Sequence, residues 1–167
     1  MPSKILQCFD PFVDKKSKIL ILGTMPGPTA LAKQEYYGFP GNHFWKILTQ
    51  YFGITKPLKY EEKVDLLRRK KIALWDVFGS CEREGAADNA IQKAELNPIP
   101  ELLNQYPNIQ AVFLNGRTAE KIFRSKFSSV KIPSYYLPST SPAHAGLSYE
   151  KKYQLWSQAL SRFLKSK

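Results

Sequence analysis

Lys18-Ile-Leu-Ile-Leu-Gly23 is a short apolar run that stops at a glycine. Unbroken apolar side chains with no polar alternation read as a strand buried on both faces, and the glycine as its exit into a loop. Three later stretches read as further strands: Ile72-Ala-Leu-Trp-Asp-Val-Phe78, Ala111-Val-Phe-Leu-Asn115 and Tyr135-Tyr-Leu137. Helical spacing fills the gaps. Phe44, Ile47, Leu48 and Tyr51 share one helix face. Val64, Leu66 and Leu67 belong to a second helix that ends in Arg68-Arg-Lys-Lys71, where cations suit the negative end of the helix dipole. Asn97-Pro-Ile-Pro100 reads as a helix start, with Asn97 capping and Pro98 in the first turn. A helix over Arg117 to Ser125 follows the third strand. The last helix begins near Ser148 and carries Tyr153, Trp156, Leu160, Phe163 and Leu164 on one face.

Strands alternating with helices predict an α/β fold, a three-layer α/β/α sandwich with a four-stranded parallel central sheet. Ligands of such open sheets bind at the carboxyl ends of the strands. The loops expected there are Gly23-Thr-Met-Pro-Gly27, Gly79-Ser-Cys81, Asn115-Gly116 and Pro138-Ser-Thr-Ser-Pro-Ala-His-Ala-Gly146. The 167 residues read as a single domain spanning 1–167, without internal repeat, linker or low-complexity segment.

Composition narrows the function. The chain has 25 Lys and Arg against 14 Asp and Glu, a net charge of +11, so an acidic partner is expected, nucleic acid before anionic membrane. No apolar run approaches the ~20 residues of a membrane span, and no signal peptide is read at the start. Two cysteines and two histidines argue against a disulfide framework, an iron–sulfur cluster or a metal site, and they fit a reducing cytoplasm. Neither a metal nor any other cofactor is expected.

Three rim motifs carry the candidate chemistry, each with a plainer alternative. The small residues of Gly23-Thr-Met-Pro-Gly27 let backbone N–H groups approach a ligand, or simply make a tight turn; the loop lacks the Gly-Lys-Ser/Thr ending of a phosphate loop. Tyr36-Tyr-Gly-Phe-Pro-Gly-Asn-His-Phe-Trp45 offers rings for base stacking or for the core, and Asn42 stands where a helix N-cap would. The stiff, hydroxyl-rich loop from Pro138 to Gly146 suits a phosphate backbone, or is an ordinary surface turn.

In this order and placement the three motifs resemble the uracil-DNA glycosylase superfamily, and within it the hypoxanthine-DNA (deoxyinosine) glycosylase branch. The mismatch-specific uracil/thymine branch is similar across Pro-Gly-Asn-His-Phe-Trp-Lys. The resemblance implies a monofunctional DNA glycosylase of base excision repair. Such an enzyme hydrolyses the N-glycosidic bond of a deaminated base, hypoxanthine or also uracil, in double- or single-stranded DNA. The family's water-activating Asp or Asn is replaced here by Met25, and the His before Pro-Ser in the last loop by Leu137. What the branch retains is Asn42, which the resemblance makes the catalytic residue.

Breaking an N-glycosidic bond builds positive charge on the sugar and negative charge on the base. Backbone donors of the Thr24–Gly27 loop can hold the base anion, while Asn42 orients water through its side-chain carbonyl. The resemblance places Tyr37 against the flipped base. It places Asp76 where other members carry a base-reading asparagine, and a carboxylate there would accept from a ring N–H; the alternative is an Asp that caps the next turn. Thr24, Met25, Tyr37 and Asp76 are thus the expected base-binding residues. Ser139, Thr140, Ser141 and His144 are the expected DNA-binding ones, with His144 equally readable as structural. Arg83, Arg117 and Lys121 are candidate phosphate contacts or ordinary solvated charges. The chain is expected to act as a monomer. Rival readings are a mismatch-specific uracil/thymine glycosylase, a non-catalytic nucleic-acid-binding domain of the same fold, and a Rossmann-like nucleotide-binding enzyme.

Overall fold

The computed structural model describes residues 4–143 and 146–166. In chain order its elements are β1 (Ile5–Gln7), β2 (Ile19–Gly23), α1 (Pro28–Lys33), α2 (Phe44–Tyr51), α3 (Tyr60–Arg69), β3 (Ile72–Asp76), β4 (Phe78–Glu82), β5 (Gln92–Leu96), α4 (Ile99–Gln105), β6 (Ala111–Asn115), α5 (Arg117–Lys126), β7 (Ser134–Leu137) and α6 (Tyr149–Ser161), with a short 3-10 turn at Asp88–Ala90. The predicted parallel sheet is present, in the order β3-β2-β6-β7.

Alternation along β2 builds the three layers. Ile19 and Ile21 enter one apolar cluster with Phe44, Trp45, Ile47 and Leu48 of α2, Leu66 and Leu67 of α3, and Trp156 and Leu160 of α6. Leu20 and Leu22 enter the other, with Ile99 and Leu102 of α4 and Phe123 of α5. Every residue of β2, β3 and β6 is buried, so the continuous apolar runs reflect cover on both faces. α6 starts as expected: the Ser148 hydroxyl accepts from the Lys151 N–H at 3.2 Å. It closes at Ser161, so Phe163 and Leu164 pack from beyond its end.

Three expectations need correction. The run from Ile72 to Phe78 is not one strand. It breaks at Val77, whose N–H turns back to the Gly23 carbonyl at 2.9 Å, and the chain resumes as β4 in a second sheet. That sheet is antiparallel, in the order β1-β4-β5, and was not anticipated; β5 is exposed along its whole length and carries no hydrophobic alternation to read. α1 was also missed. It follows directly on the glycine loop and has Pro28 in its first turn.

The third correction concerns Asn97. It does not cap α4, which begins at Ile99 without a side-chain cap. Asn97 is buried instead, and its amide donates to the Asp76 carbonyl at 2.8 Å and to Cys8 Sγ at 3.3 Å, tying the second sheet to the end of β3. A buried carbonyl that loses its donor costs about 1–3 kcal/mol. Asn97→Ala should therefore lower unfolding stability by that amount, read as a reduced urea midpoint at unchanged slope.

Candidate active site

The parallel register brings four strand ends to one level. Gly23 lies opposite Asp76, Leu22 opposite Leu114, and Asn115 opposite Leu137. The loops that leave these ends surround a cleft of about 840 Å³. Thr24, Met25, Tyr37, Asn42, Asp76, Ser139, Thr140 and Ser141 all line it, so residues chosen from motifs far apart in the chain share one cavity. His144 lies outside the described residues.

The glycine loop is held from below. The Gly23 and Thr24 carbonyls accept from Val77 and Phe78 N–H groups at 2.9 and 3.1 Å. Arg83, at the end of β4, donates through Nη2 to the Pro26 carbonyl at 2.7 Å. Arg83 is thus buried structure and not a solvated phosphate contact. Among the described residues no backbone carbonyl accepts from the N–H of Thr24, Met25 or Gly27. With its carbonyls fixed inward, the loop keeps donors for a ligand. Met25 packs into the second apolar cluster while lining the cleft.

Gly23 is required by crowding. A Cβ there would lie 2.6 Å from Asp76 Oδ1 and 3.0 Å from the Tyr37 hydroxyl. Tyr37 sits in the left-handed region at φ 54°, and its ring stacks on Phe44 with centroids 4.0 Å apart, so one ring face is already taken. Burial and the nearby Asp76 keep its hydroxyl neutral.

Asn115 was not singled out from the sequence, yet it joins two of the motifs. Its Nδ2 donates to Thr140 Oγ1 at 3.1 Å and to the Tyr37 hydroxyl at 3.3 Å, and its Oδ1 accepts from the Thr140 N–H at 3.0 Å. Thr140 is 1% exposed, and its carbonyl accepts from the His43 N–H at 2.9 Å. Its groups face inward: this residue positions the loop. Ser139 and Ser141 are nearer the surface, where Ser139 Oγ accepts from the Ser141 N–H and Ser141 Oγ from the Ala143 N–H. Beneath them Lys152 of α6, 1% exposed, donates to the Ser141 carbonyl at 3.3 Å; burial lowers its pKa. A lysine on an amphipathic helix reads as part of its solvated face, so nothing in the sequence signalled this role.

Asn42 Oδ1 accepts from the Phe44 N–H at 2.9 Å at the start of α2. Asn42 is not the N-cap of α2, a position that His43 fills without a side-chain cap; its bond to Phe44, two residues on, closes an Asx turn, and a carboxamide oxygen has a second lone pair for a ligand or water. Asp76 is 5% exposed, and its Oδ2 has no hydrogen-bond partner. Burial pushes its carboxyl up to about 7; the Asp88 charge pushes the same way and Arg83 opposes both. Asp88 and Asn89, in the loop after β4, complete the far wall. Desolvation also raises the Asp88 carboxyl, against the Thr24 hydroxyl, Arg83 and the Thr118 hydroxyl. Arg117 lies over the Tyr136 ring at 3.7 Å and pairs with Glu120 at 2.8 Å, on the cleft's outer edge. Among the described residues no group of three or more His, Cys, Asp or Glu side chains is placed to hold a metal ion.

Gly23→Ala should keep the fold but displace the Asp76 carboxylate and the Tyr37 ring. Function at the cleft should fall at least tenfold with a small change in melting temperature; full function with an added methyl would mean that neither group is needed where it stands.

The sequence profile of the uracil DNA glycosylase superfamily matches residues 11–164. A curated relative from Methanosarcina barkeri, named hypoxanthine DNA glycosylase, is 36% identical over 160 residues, covering 93% of this chain and 98% of its own. One of the same name from Methanosarcina acetivorans is 34% identical over 148 residues, covering 86% and 91%. A solution NMR structure from Methanosarcina acetivorans, presented as a candidate uracil DNA glycosylase, superposes with a TM-score of 0.83 at 31% identity, covering 95% of this chain and 98% of that one.

Proposed function

We propose, since this chain belongs to the uracil DNA glycosylase superfamily, that it is a monofunctional DNA glycosylase. It removes a deaminated base from DNA by hydrolysing the N-glycosidic bond, with hypoxanthine as the preferred base. The observation that carries this is the single cleft at the ends of the parallel strands, in which Asn42, the glycine loop, Tyr37 and Asp76 meet. A base inside a duplex is out of reach, so the target nucleotide swings out of the stack into the cleft.

Each residue has a task there. The free face of Tyr37 stacks on the flipped base, with Phe44 as a rigid backing. The N–H groups of Thr24, Met25 and Gly27 stabilise negative charge that develops on the base. Asn42 directs water to the sugar carbon through the carbonyl lone pair that its bond to the Phe44 N–H leaves unused. DNA phosphates meet Ser139 and Ser141 on the rim, and the net charge of +11 draws the duplex in. We assign the work to one domain acting as a monomer in the cytoplasm; among the described residues no helix is long and apolar enough to cross a membrane.

The test is base release. Duplexes holding one deoxyinosine, one deoxyuridine or a G·T mismatch are incubated with the protein, and abasic sites are then cleaved with alkali. Hypoxanthine release from the deoxyinosine duplex is expected; release from none would refute the proposal and favour a non-catalytic binding module. The strand should stay unbroken before alkali, and borohydride should trap no protein–DNA adduct, because a nick requires an amine that forms a Schiff base with the sugar. Lys152 is not part of the cleft lining and is held by the Ser141 carbonyl.

The turn that Asn42 closes and its catalysis separate with two substitutions. Asn42→Ala should cost about 1 kcal/mol of stability as the bond to the Phe44 N–H is lost, and reduce single-turnover excision at least a hundredfold. Asn42→Ser should recover part of the stability, because a serine hydroxyl makes the same turn more weakly, and leave excision low. If excision follows stability in both proteins, closing the turn is the only role.

A further inference from the structure

We propose that Asp76 is a general acid: its buried, unpartnered carboxyl in the cleft wall passes a proton to the leaving purine as the glycosidic bond breaks. This rests on the glycosylase reading above and gives Asp76 a role opposite to that of an ionised acceptor.

The geometry comes first. Asp76 ends β3 with its backbone carbonyl tied to Asn97, and its side chain lies in the space that Gly23 leaves open. The carboxyl lines the cleft, yet Oδ2 is buried without a partner. An ionised carboxylate in that setting lacks both water and a compensating donor, so burial favours the protonated form. The surrounding groups do not reverse this. Arg83 is the one cation whose charge acts appreciably on the carboxyl, and it approaches without pairing: Nη2 is committed to the Pro26 carbonyl, Nε and Nη1 have no partner, and no ion pair joins it to an aspartate among the described residues. Asp88, from the loop after β4, adds negative charge. The other titratable neighbours are the Tyr37 and Tyr36 hydroxyls and the Cys8 thiol, each raised by burial and by Asp76, hence neutral. The balance leaves the carboxyl near 7, where an acid is both protonated and able to give its proton up.

The chemistry selects the same form. As the bond between C1′ and N9 breaks, its electron pair stays on the base. An ionised Asp76 beside that growing charge would repel it in a water-poor cleft and oppose departure. A protonated Asp76 neutralises it. The proton moves from the carboxyl to N7 of the purine, which leaves as neutral hypoxanthine, and Asp76 becomes a carboxylate. Water adds to C1′ and loses a proton to solvent, and Asp76 takes one from solvent before the next turnover. Atoms and charge balance with water as the only co-reactant.

The experiment is the pH profile of single-turnover hypoxanthine release at saturating enzyme, from about pH 5.5 to 9. In the wild type the rate should fall tenfold per pH unit above the pKa of Asp76. Asp76→Asn, which can hydrogen-bond but cannot transfer a proton, should bind the duplex normally and release base about 10²–10⁴ times more slowly, with that alkaline limb abolished. A wild-type rate that is flat or rises across this range overturns proton donation and leaves the glycosylase reading standing. So does an Asp76→Asn protein with wild-type rate, or one that keeps the limb. A wild type that releases no base at any pH overturns both.

Discussion

The molecule depends on the ladder that pairs β2 with β3 on one edge and β6 on the other. In a parallel sheet the strand ends fall on one side, and this register sets Gly23, Asp76 and Asn115 side by side. Their side chains then compete for one small volume, and the competition is resolved by giving the central strand none. Glycine at 23 makes room for the carboxyl from one neighbouring strand and the tyrosine hydroxyl from the loop beyond α1, while the asparagine from the other strand reaches that hydroxyl. The cleft is therefore not an addition to the sheet; it is what the sheet's end looks like when its middle strand stops in glycine.

The loops are positioned by a short chain of polar contacts that starts at the same level. Asn115 holds Thr140 with two hydrogen bonds, and Thr140 holds the first residue before α2 through the His43 N–H. Asn42 is thereby placed relative to the last loop as well as to its own helix. On the opposite side Arg83 and the turn at Val77 pin the glycine loop from the second sheet. Each buried polar group here has an inward partner, which is the condition for such a network to rigidify its surroundings. The exceptions are His43 Nδ1 and the Asp76–Arg83 neighbourhood, where Oδ2, Nε and Nη1 stay unpaired. Orphaned polar atoms are costly in a core and so mark where stability has been given up for chemistry.

Much of this could be read from residue order. Strands buried on both faces announce themselves as unbroken apolar runs, and their alternation with helices left few sheet topologies to consider, so Lys18–Gly23 led to the right layers and the right rim. The three motifs were legible because small and hydroxyl residues concentrate at two strand ends and ring-bearing residues between α1 and α2. What escaped had no periodicity. β5, exposed throughout, pairs through backbone alone, and the break at Val77 is set by a hydrogen bond to Gly23 that no local pattern encodes. Asn97 looked like a cap because Asn-Pro usually is one, but a buried acceptor at Asp76 outcompeted the helix end for its amide. Asn115 and Arg83 carry ordinary letters, and only the distance to Thr140 and Pro26 reveals their work. Asp76 was visible as a residue, whereas its charge state was not: that is shifted by burial and by Asp88, twelve positions away beyond β4.

The two substitutions that set this chain apart from its better-known relatives also follow from packing. Met25 and Leu137 stand where the wider family carries its strong catalytic groups, and both are buried here as core, Met25 beneath the glycine loop and Leu137 beside Asn115 at the end of β7. A chain without those groups must draw its assistance from elsewhere. For a pyrimidine, stabilising an anion with backbone donors is the main resource left. A purine has a basic nitrogen in its five-membered ring, and protonation there makes the base a neutral leaving group. A buried carboxyl that titrates near 7 suits the proposed proton transfer to that nitrogen, and uracil offers no counterpart to it. On the proposed mechanism, an acid at position 76 and apolar side chains at positions 25 and 137 push in the same direction, away from uracil and toward hypoxanthine.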